Sequence, residues 1–284
     1  MKKLLLFLIL FTSVNFSQSS LLLLMSGEDL SAETKAYETR VIADGGTVIN
    51  LNAVNSAYKS IKSTGIMDSL WGFWDANFGV KKNANNKVTK LYNLIGTSDL
   101  AQTDTALSPT WYADSLNGKA TMKFTDDRLV STITPNLTYG WSYYAVISSQ
   151  ANASLAVLGV VGTSQNYSVI LSSGVGINFY VGGSTNGTNA LRSGNTGALF
   201  TRNIVGSSID PSDGNRAKNY SNSSTVANAQ LSSPDLTWGG ANFIVGTTRS
   251  SSVLNPFIGN ISSLIMSKDV ITEPTWLNQF YVVY

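Results

Sequence analysis

Seventeen carboxylates, no histidine and no cysteine set the chemical repertoire of this 284-residue chain. Without Cys there is no disulfide, thiolate nucleophile, structural zinc cluster or iron–sulfur site. Without His the usual general base near neutral pH is missing. Ser-His-Asp and Cys-His catalysis and the common zinc hydrolase sites go with it. Three chemistries remain: paired carboxylates, cation binding by Asp and Asn oxygens, and aromatic stacking. Glu is scarce, at Glu28, Glu33, Glu38 and Glu273 only. The first three fall near or within one N-terminal helical pattern and read as a solvated face. The fourth stands alone, and neither Asp126-Asp127 nor Asp99 with Asp104 makes an acid/base pair by spacing. Asp210, Asp213 and Asn215 form an oxygen-rich turn that could attract calcium, but it lacks the ligand count and closing Glu of an EF-hand. Sugar recognition needs an aromatic platform beside planar hydrogen-bonding groups. The candidate platforms are Trp141 with Tyr139, Trp238 with Asn242, and Tyr180 with Asn178.

Composition narrows the partners. The chain is 43% hydrophobic but only 13% charged, about half the usual charged share. Ser, Thr and Asn fill the gap. A net charge of +2 is no footprint for nucleic acid, and only Lys2-Lys3 and Lys81-Lys82 are adjacent basic residues. One large domain with a small appendage fits the length.

Three regions must position these residues. In residues 1–18, Lys2-Lys3 precede the apolar run Leu4–Phe11, and a small polar stretch ends at Gln18. That is the pattern of an export signal, with cleavage expected near Gln18. It resembles bacterial leaders of the Bacteroidetes type that end in Phe-Ser-Gln. Residues 19–69 are expected to hold a short strand, Leu21–Met25, and a helical hairpin. Leu30, Thr34, Tyr37 and Val41 recur at helical spacing after Ser31 or Asp29, and Gly45-Gly46 ends the first helix. Leu51, Val54, Tyr58 and Ile61 define a second, capped by Asn50 or Asn52 and ended by Gly65.

From Leu70 to Tyr284 the pattern is all β. Short apolar runs alternate with turn dipeptides such as Asn186-Gly187 and Asp213-Gly214. With no intervening helices and no repeat, this predicts a sandwich or barrel, and the low charge suits two stacked sheets with Ser and Thr on their outer faces. The segments Gly182–Gly197 and Ser207–Asn228 read as long polar loops, where contact surfaces usually lie.

Two stretches carry a family resemblance. One runs through Asn93-Leu94-Ile95-Gly96, Pro109-Thr110-Trp111-Tyr112 and Leu116-Asn117-Gly118-Lys119. The other is Phe257-Ile258-Gly259-Asn260-Ile261-Ser262-Ser263-Leu264-Ile265, followed by Thr272-Glu273-Pro274. Together they resemble the first and last strands of concanavalin A-like, laminin G-like jelly rolls. The resemblance implies a mainly β, concanavalin A-like jelly-roll β-sandwich behind a small N-terminal helical hairpin. It also implies a closing helix after Thr272 and core positions for Trp71, Trp74 and Trp111. It places Asp126-Asp127 where the family often binds Ca2+. The Glu-x-Asp-x-Glu run of glycosidases on this fold is absent. A narrower likeness spans Ala36–Val48 and Leu70–Asn77, which is similar to the N-terminal part of phage virion proteins of tail or fibre type.

The expectation is therefore a non-catalytic virion protein that contacts a host surface glycan or another virion protein. A secreted bacterial surface lectin or adhesin is the alternative, and a glycan-active enzyme the third reading. A virion or an exported, cell-surface location follows. Exposed edge strands favour a homo-oligomer.

Overall fold

The structure is a computed structural model that describes residues 29–116, 118–135, 140–150, 155–161, 166–173, 176–181, 190–192, 203–222, 224–232, 242–247 and 256–271. Helix α1 (Ala32–Ala43) starts where the Ser31 hydroxyl accepts from the Thr34 N–H, at 3.2 Å. Helix α2 (Leu51–Thr64) starts where the Asn50 carboxamide accepts from Ala53 N. It stops at Gly65, whose φ of +71° is left-handed backbone that glycine adopts without strain. Both ends of α2 and the cap of α1 are those the sequence predicts. A two-residue strand, β1 (Thr47–Val48), lies between the helices. Such a segment is too short for any periodicity to reveal it.

Seventeen further strands follow among the described residues: β2 (Leu70–Asp75), β3 (Gly79–Lys82), β4 (Val88–Leu91), β5 (Leu100–Ala101), β6 (Thr110–Leu116), β7 (Lys119–Phe124), β8 (Leu129–Ser131), β9 (Trp141–Ser149), β10 (Leu155–Val161), β11 (Asn166–Ser173), β12 (Gly176–Val181), β13 (Ala190–Arg192), β14 (Asn203–Asp210), β15 (Arg216–Ser221), β16 (Ser224–Gln230), β17 (Asn242–Val245) and β18 (Gly259–Ser267). They form two antiparallel sheets. One runs β1-β3-β4-β5-β8-β17-β10-β11-β12-β13. The other runs β16-β15-β14-β9-β18-β7-β6, with β2 also on β18.

The molecule has three layers rather than two. Every residue of β9 and β18 is buried. Side chains alternate across a strand, so a strand buried throughout must be covered on both faces. Tyr143, Ala145, Ile147, Ile261, Leu264 and Met266 face the ten-stranded sheet and join its core, where Trp74 stacks on Phe243 at 5.2 Å. Tyr144, Val146, Ile265, Phe73, Ile204 and Tyr220 face the other way. They pack on Tyr37, Val41, Val54, Tyr58 and Ile61 of the helices. The outer face of the eight-stranded sheet, expected to carry Ser and Thr, thus holds a second core. Each large side chain buried there stabilises the docking by about 1.5–3 kcal/mol.

Polar contacts orient the hairpin. Arg40 near the end of α1 donates to both oxygens of Asp99 and to the Asn93 carbonyl. Asp44 accepts from Lys90 at 2.8 Å and from the Tyr92 hydroxyl at 2.6 Å. These hydrogen bonds hold the Asp44 carboxyl at about 2.

Asparagine does the work that charge does elsewhere. Strand β18 pairs with β7 through Gly259–Ile261 and with β2 through Ser263–Ser267. At that change of neighbour, Asn77 accepts from Ala120 N (2.8 Å), and Ser262 Oγ donates to Ala120 O. Asp75 accepts there from Ser263 and Asn77. The Asn93 carboxamide accepts from Phe73 N and Ile95 N and donates to Trp71 O. Such bonds replace the backbone ladder where strands diverge, and this accounts for some of the Asn content.

Both loop expectations are corrected: Gly182–Gly197 contains β13 at Ala190–Arg192. Ser207–Asn228 is not a loop. It runs from β14 through a 3-10 turn, Pro211–Asp213, and β15 into β16. The edge strands of the eight-stranded sheet are irregular. Strand β6 carries a register shift between Tyr112 and Leu116, and β16 one opposite Asn219 and Tyr220. Bulges on edge strands oppose edge-to-edge pairing. The expected leader, the strand Leu21–Met25 and the closing helix at Thr272 lie outside the described residues.

Candidate functional site

Trp141 is not a binding platform. It opens β9 with no exposed surface and packs in the inter-sheet core. Its strand runs between two covered layers, which its sequence neighbours Tyr143 and Tyr144 do not reveal. Tyr139 and Trp238 lie outside the described residues. Asn242 is half-buried at the start of β17, opposite Val161. Asn178 and Tyr180 flank the buried Phe179 on β12, at registers opposite Leu171 and Val169. Trp74 is core, as expected, while Trp71 and Trp111 are only partly buried. The Lys82 ammonium caps the Trp111 ring at 3.9 Å, and burial lowers its pKa.

At the two calcium candidates most of the carboxylates have partners within the protein. Asp127 is buried, and its Oδ2 accepts from the Thr125 N–H (2.9 Å) and hydroxyl (3.1 Å). Its Oδ1 faces the Lys87 ammonium at 3.6 Å, so calcium there would meet a competing cation. Asp126 is exposed. Asp210 caps the 3-10 turn through Ser212 and Asp213, and Asp213 pairs with Arg216 at 2.5 Å. Among the described residues, no group of three or more acidic side chains gathers where a metal could sit. Four further carboxylates among the described residues have structural partners. Asp99 holds Arg40, Asp44 holds Lys90, Asp75 holds Ser263, and Asp104 caps a turn at Ala106.

A different surface has its polar groups free. On β6 and β7, Trp111, Met122 and Phe124 face the inter-sheet core. The alternate residues Thr110, Tyr112 and Lys123 therefore lie on the opposite, outer face. The register carries a row across four strands: Thr110 lies opposite Lys123, Lys123 opposite Asn260, and Asn260 opposite Ser148. The row spans about 14 Å at the usual strand spacing. Among the described residues, none of these side chains, nor the Tyr112 hydroxyl, has a hydrogen-bond partner. Exposure falls along the row. Tyr112 beside it is 42% exposed, Thr110 and Lys123 are half-buried, Asn260 is 9% exposed and Ser148 is 3% exposed. The helices cover the neighbouring half of the same face. The result is a strip whose open end at the sheet edge carries a phenol ring, a hydroxyl and an ammonium, continued by the buried Asn260 carboxamide. Sequence reading missed it, because Tyr112 and Lys123 come from different strands. The only signal was the polar alternation Thr110, Tyr112 around Trp111.

No protein-family model matches the chain, and no curated protein matches it. Solved structures do match. The CBM40 of the Ruminococcus gnavus IT-sialidase bound to alpha2,3 sialyllactose aligns at 16% identity with a TM-score of 0.43. It covers 50% of this chain and 83% of its own. A heptameric SAP-like pentraxin from Limulus polyphemus aligns at 14% identity with a TM-score of 0.44, over 51% and 71%. A Trypanosoma rangeli sialidase aligns at 10% identity with a TM-score of 0.50. That match covers 78% of this chain but only 38% of the sialidase. At such identities the likeness is one of fold. The fold is a mainly β jelly-roll sandwich of two antiparallel sheets with an N-terminal pair of helices.

Proposed function

We propose that this protein is a non-catalytic binding module for a surface glycan. The carrying observation is the strip at Tyr112, Lys123, Thr110 and Asn260, where an exposed ring lies beside polar side chains with no partner among the described residues. Sugars are recognised by such a ring and such hydrogen-bonding groups together. The non-catalytic reading is supported by Asp44, Asp75, Asp99, Asp104, Asp127, Asp210 and Asp213, which are engaged in turns, caps and ion pairs. The likeness of Ala36–Val48 and Leu70–Asn77 to phage virion proteins favours display on a particle that contacts its host. The export-type leader at residues 1–18 favours the second reading, a secreted bacterial surface lectin.

A glycan array probed with the purified chain, followed by titration of any hit, tests the binding. Tyr112→Ala is expected to weaken binding about tenfold, the cost of losing one aromatic stack. Unchanged affinity in that variant would remove the strip as the site. Intact-mass analysis of particles and of culture supernatant separates the two settings. A chain beginning near Ser19 in the supernatant and absent from particles supports the lectin reading.

A further inference from the structure

We infer that the strip selects a negatively charged saccharide, one bearing a carboxylate or sulfate, and that Lys123 reads that charge. This inference rests on the glycan-binding reading and adds the ligand's chemical class. Arg40, Lys62, Lys81, Lys87, Lys90 and Arg216 are each paired with a carboxylate. Lys82 is held over Trp111 and donates to Asn86. Among the described residues Lys123, like Lys35, Lys59, Lys218 and Lys268, has neither an ion-pair nor a hydrogen-bond partner, and it is the one of these that lies on the strip, half-buried beside Tyr112.

Its setting is specific. The register places Thr110 on one side of Lys123 and Asn260 on the other, both uncharged. Tyr112 lies two residues along β6 from Thr110 on the same face. Asp75 reaches the same face through β2, but Ser263 and Asn77 already hydrogen-bond its carboxylate. A half-buried ammonium loses part of its hydration. It recovers that loss best from an anion that also satisfies the neighbouring donors. Thr110 and Asn260 supply those donors, and Tyr112 supplies a face for the sugar ring. The anionic group would therefore sit over β7, with the ring toward the sheet edge.

The test compares matched oligosaccharides that differ only in a carboxylate or a sulfate, titrated against the full chain at low and high salt. The charged forms are expected to bind about tenfold or more tightly than the neutral form, since a hydrogen bond to a charged group gives at least that discrimination. The preference should shrink as salt rises. Lys123→Gln should abolish the preference, read as the ratio of charged to neutral affinity within that variant, and Lys123→Arg should restore it. The carboxylate and sulfate arms identify which anion is read. Equal binding of charged and neutral forms, or a preference that survives Lys123→Gln, overturns the inference and leaves the glycan reading standing. Absence of binding to every saccharide overturns both.

Discussion

Removing the Asn219 side chain should loosen the sandwich where β15 meets β13. Asn219 is fully buried on β15, in the eight-stranded sheet. Its amide donates to the carbonyl of Leu191 at 3.1 Å, and Leu191 belongs to β13, the last strand of the other sheet. Its Oδ1 accepts from the Ser207 hydroxyl at 2.8 Å on the neighbouring strand β14. One carboxamide thus ties three strands and both sheets together. Asn219→Ala leaves the Leu191 carbonyl and the Ser207 hydroxyl buried without that partner. Each orphan costs about 1–3 kcal/mol, so the expected loss is about 2–6 kcal/mol. Ser207→Ala in the same chain removes one orphan and should recover about 1–3 kcal/mol of it, a coupling that a double-mutant cycle isolates. Urea unfolding of all four chains, followed by tryptophan fluorescence, reads both quantities. A loss below about 0.5 kcal/mol for Asn219→Ala, or strict additivity with Ser207→Ala, would refute the inter-sheet tie, since contacting residues are expected to couple by more than that.

Two further outcomes are expected. Gly206→Ala would place a methyl 2.1 Å from the Tyr144 ring and 2.8 Å from the Tyr143 carbonyl. It should destabilise the chain by about 1–3 kcal/mol, measured by thermal melting, because β9 is packed on both faces and the ring has little room to move. Stability should also fall at both pH extremes through the contacts that dock the helices. Burial pushes the Tyr58 hydroxyl up to about 12, so its contribution is complete below pH 10 and is lost as pH rises toward 12. Hydrogen bonds from Lys90 and Tyr92 hold Asp44 down at about 2. Its small, solvent-screened contribution is present above pH 4 and is lost as pH falls toward 2. Helix-specific amide exchange across the pH range checks both signs. Protection that rises above pH 10 would contradict the Tyr58 assignment.

Much of the architecture is written locally. Ser31, Asn50 and Gly65 bound the helices by cap chemistry that needs no distant partner. Tyr37, Val41, Val54, Tyr58 and Ile61 announce their buried faces by spacing. The short apolar runs separated by turn dipeptides give a sandwich, and the low charge agrees with it. Where the tertiary structure decided, the missing information was the identity of a neighbour. Nothing local says that β9 is covered on both faces, although its unbroken burial follows once α1 and α2 lie across the sheet. Trp141 is core for that reason. Asp127 is similar. Its sequence context suits a cation, but the fold delivers Lys87 to its open oxygen. The strip is the converse case. Thr110, Tyr112, Lys123, Asn260 and Ser148 are unremarkable in their own segments and become one surface only through the registers of β6, β7, β18 and β9. The sequence by itself determined the elements and which of their faces are apolar, because caps and periodicity act over a few residues. Only the tertiary structure decided which polar groups were left without a partner, because that depends on strands brought together from opposite ends of the chain.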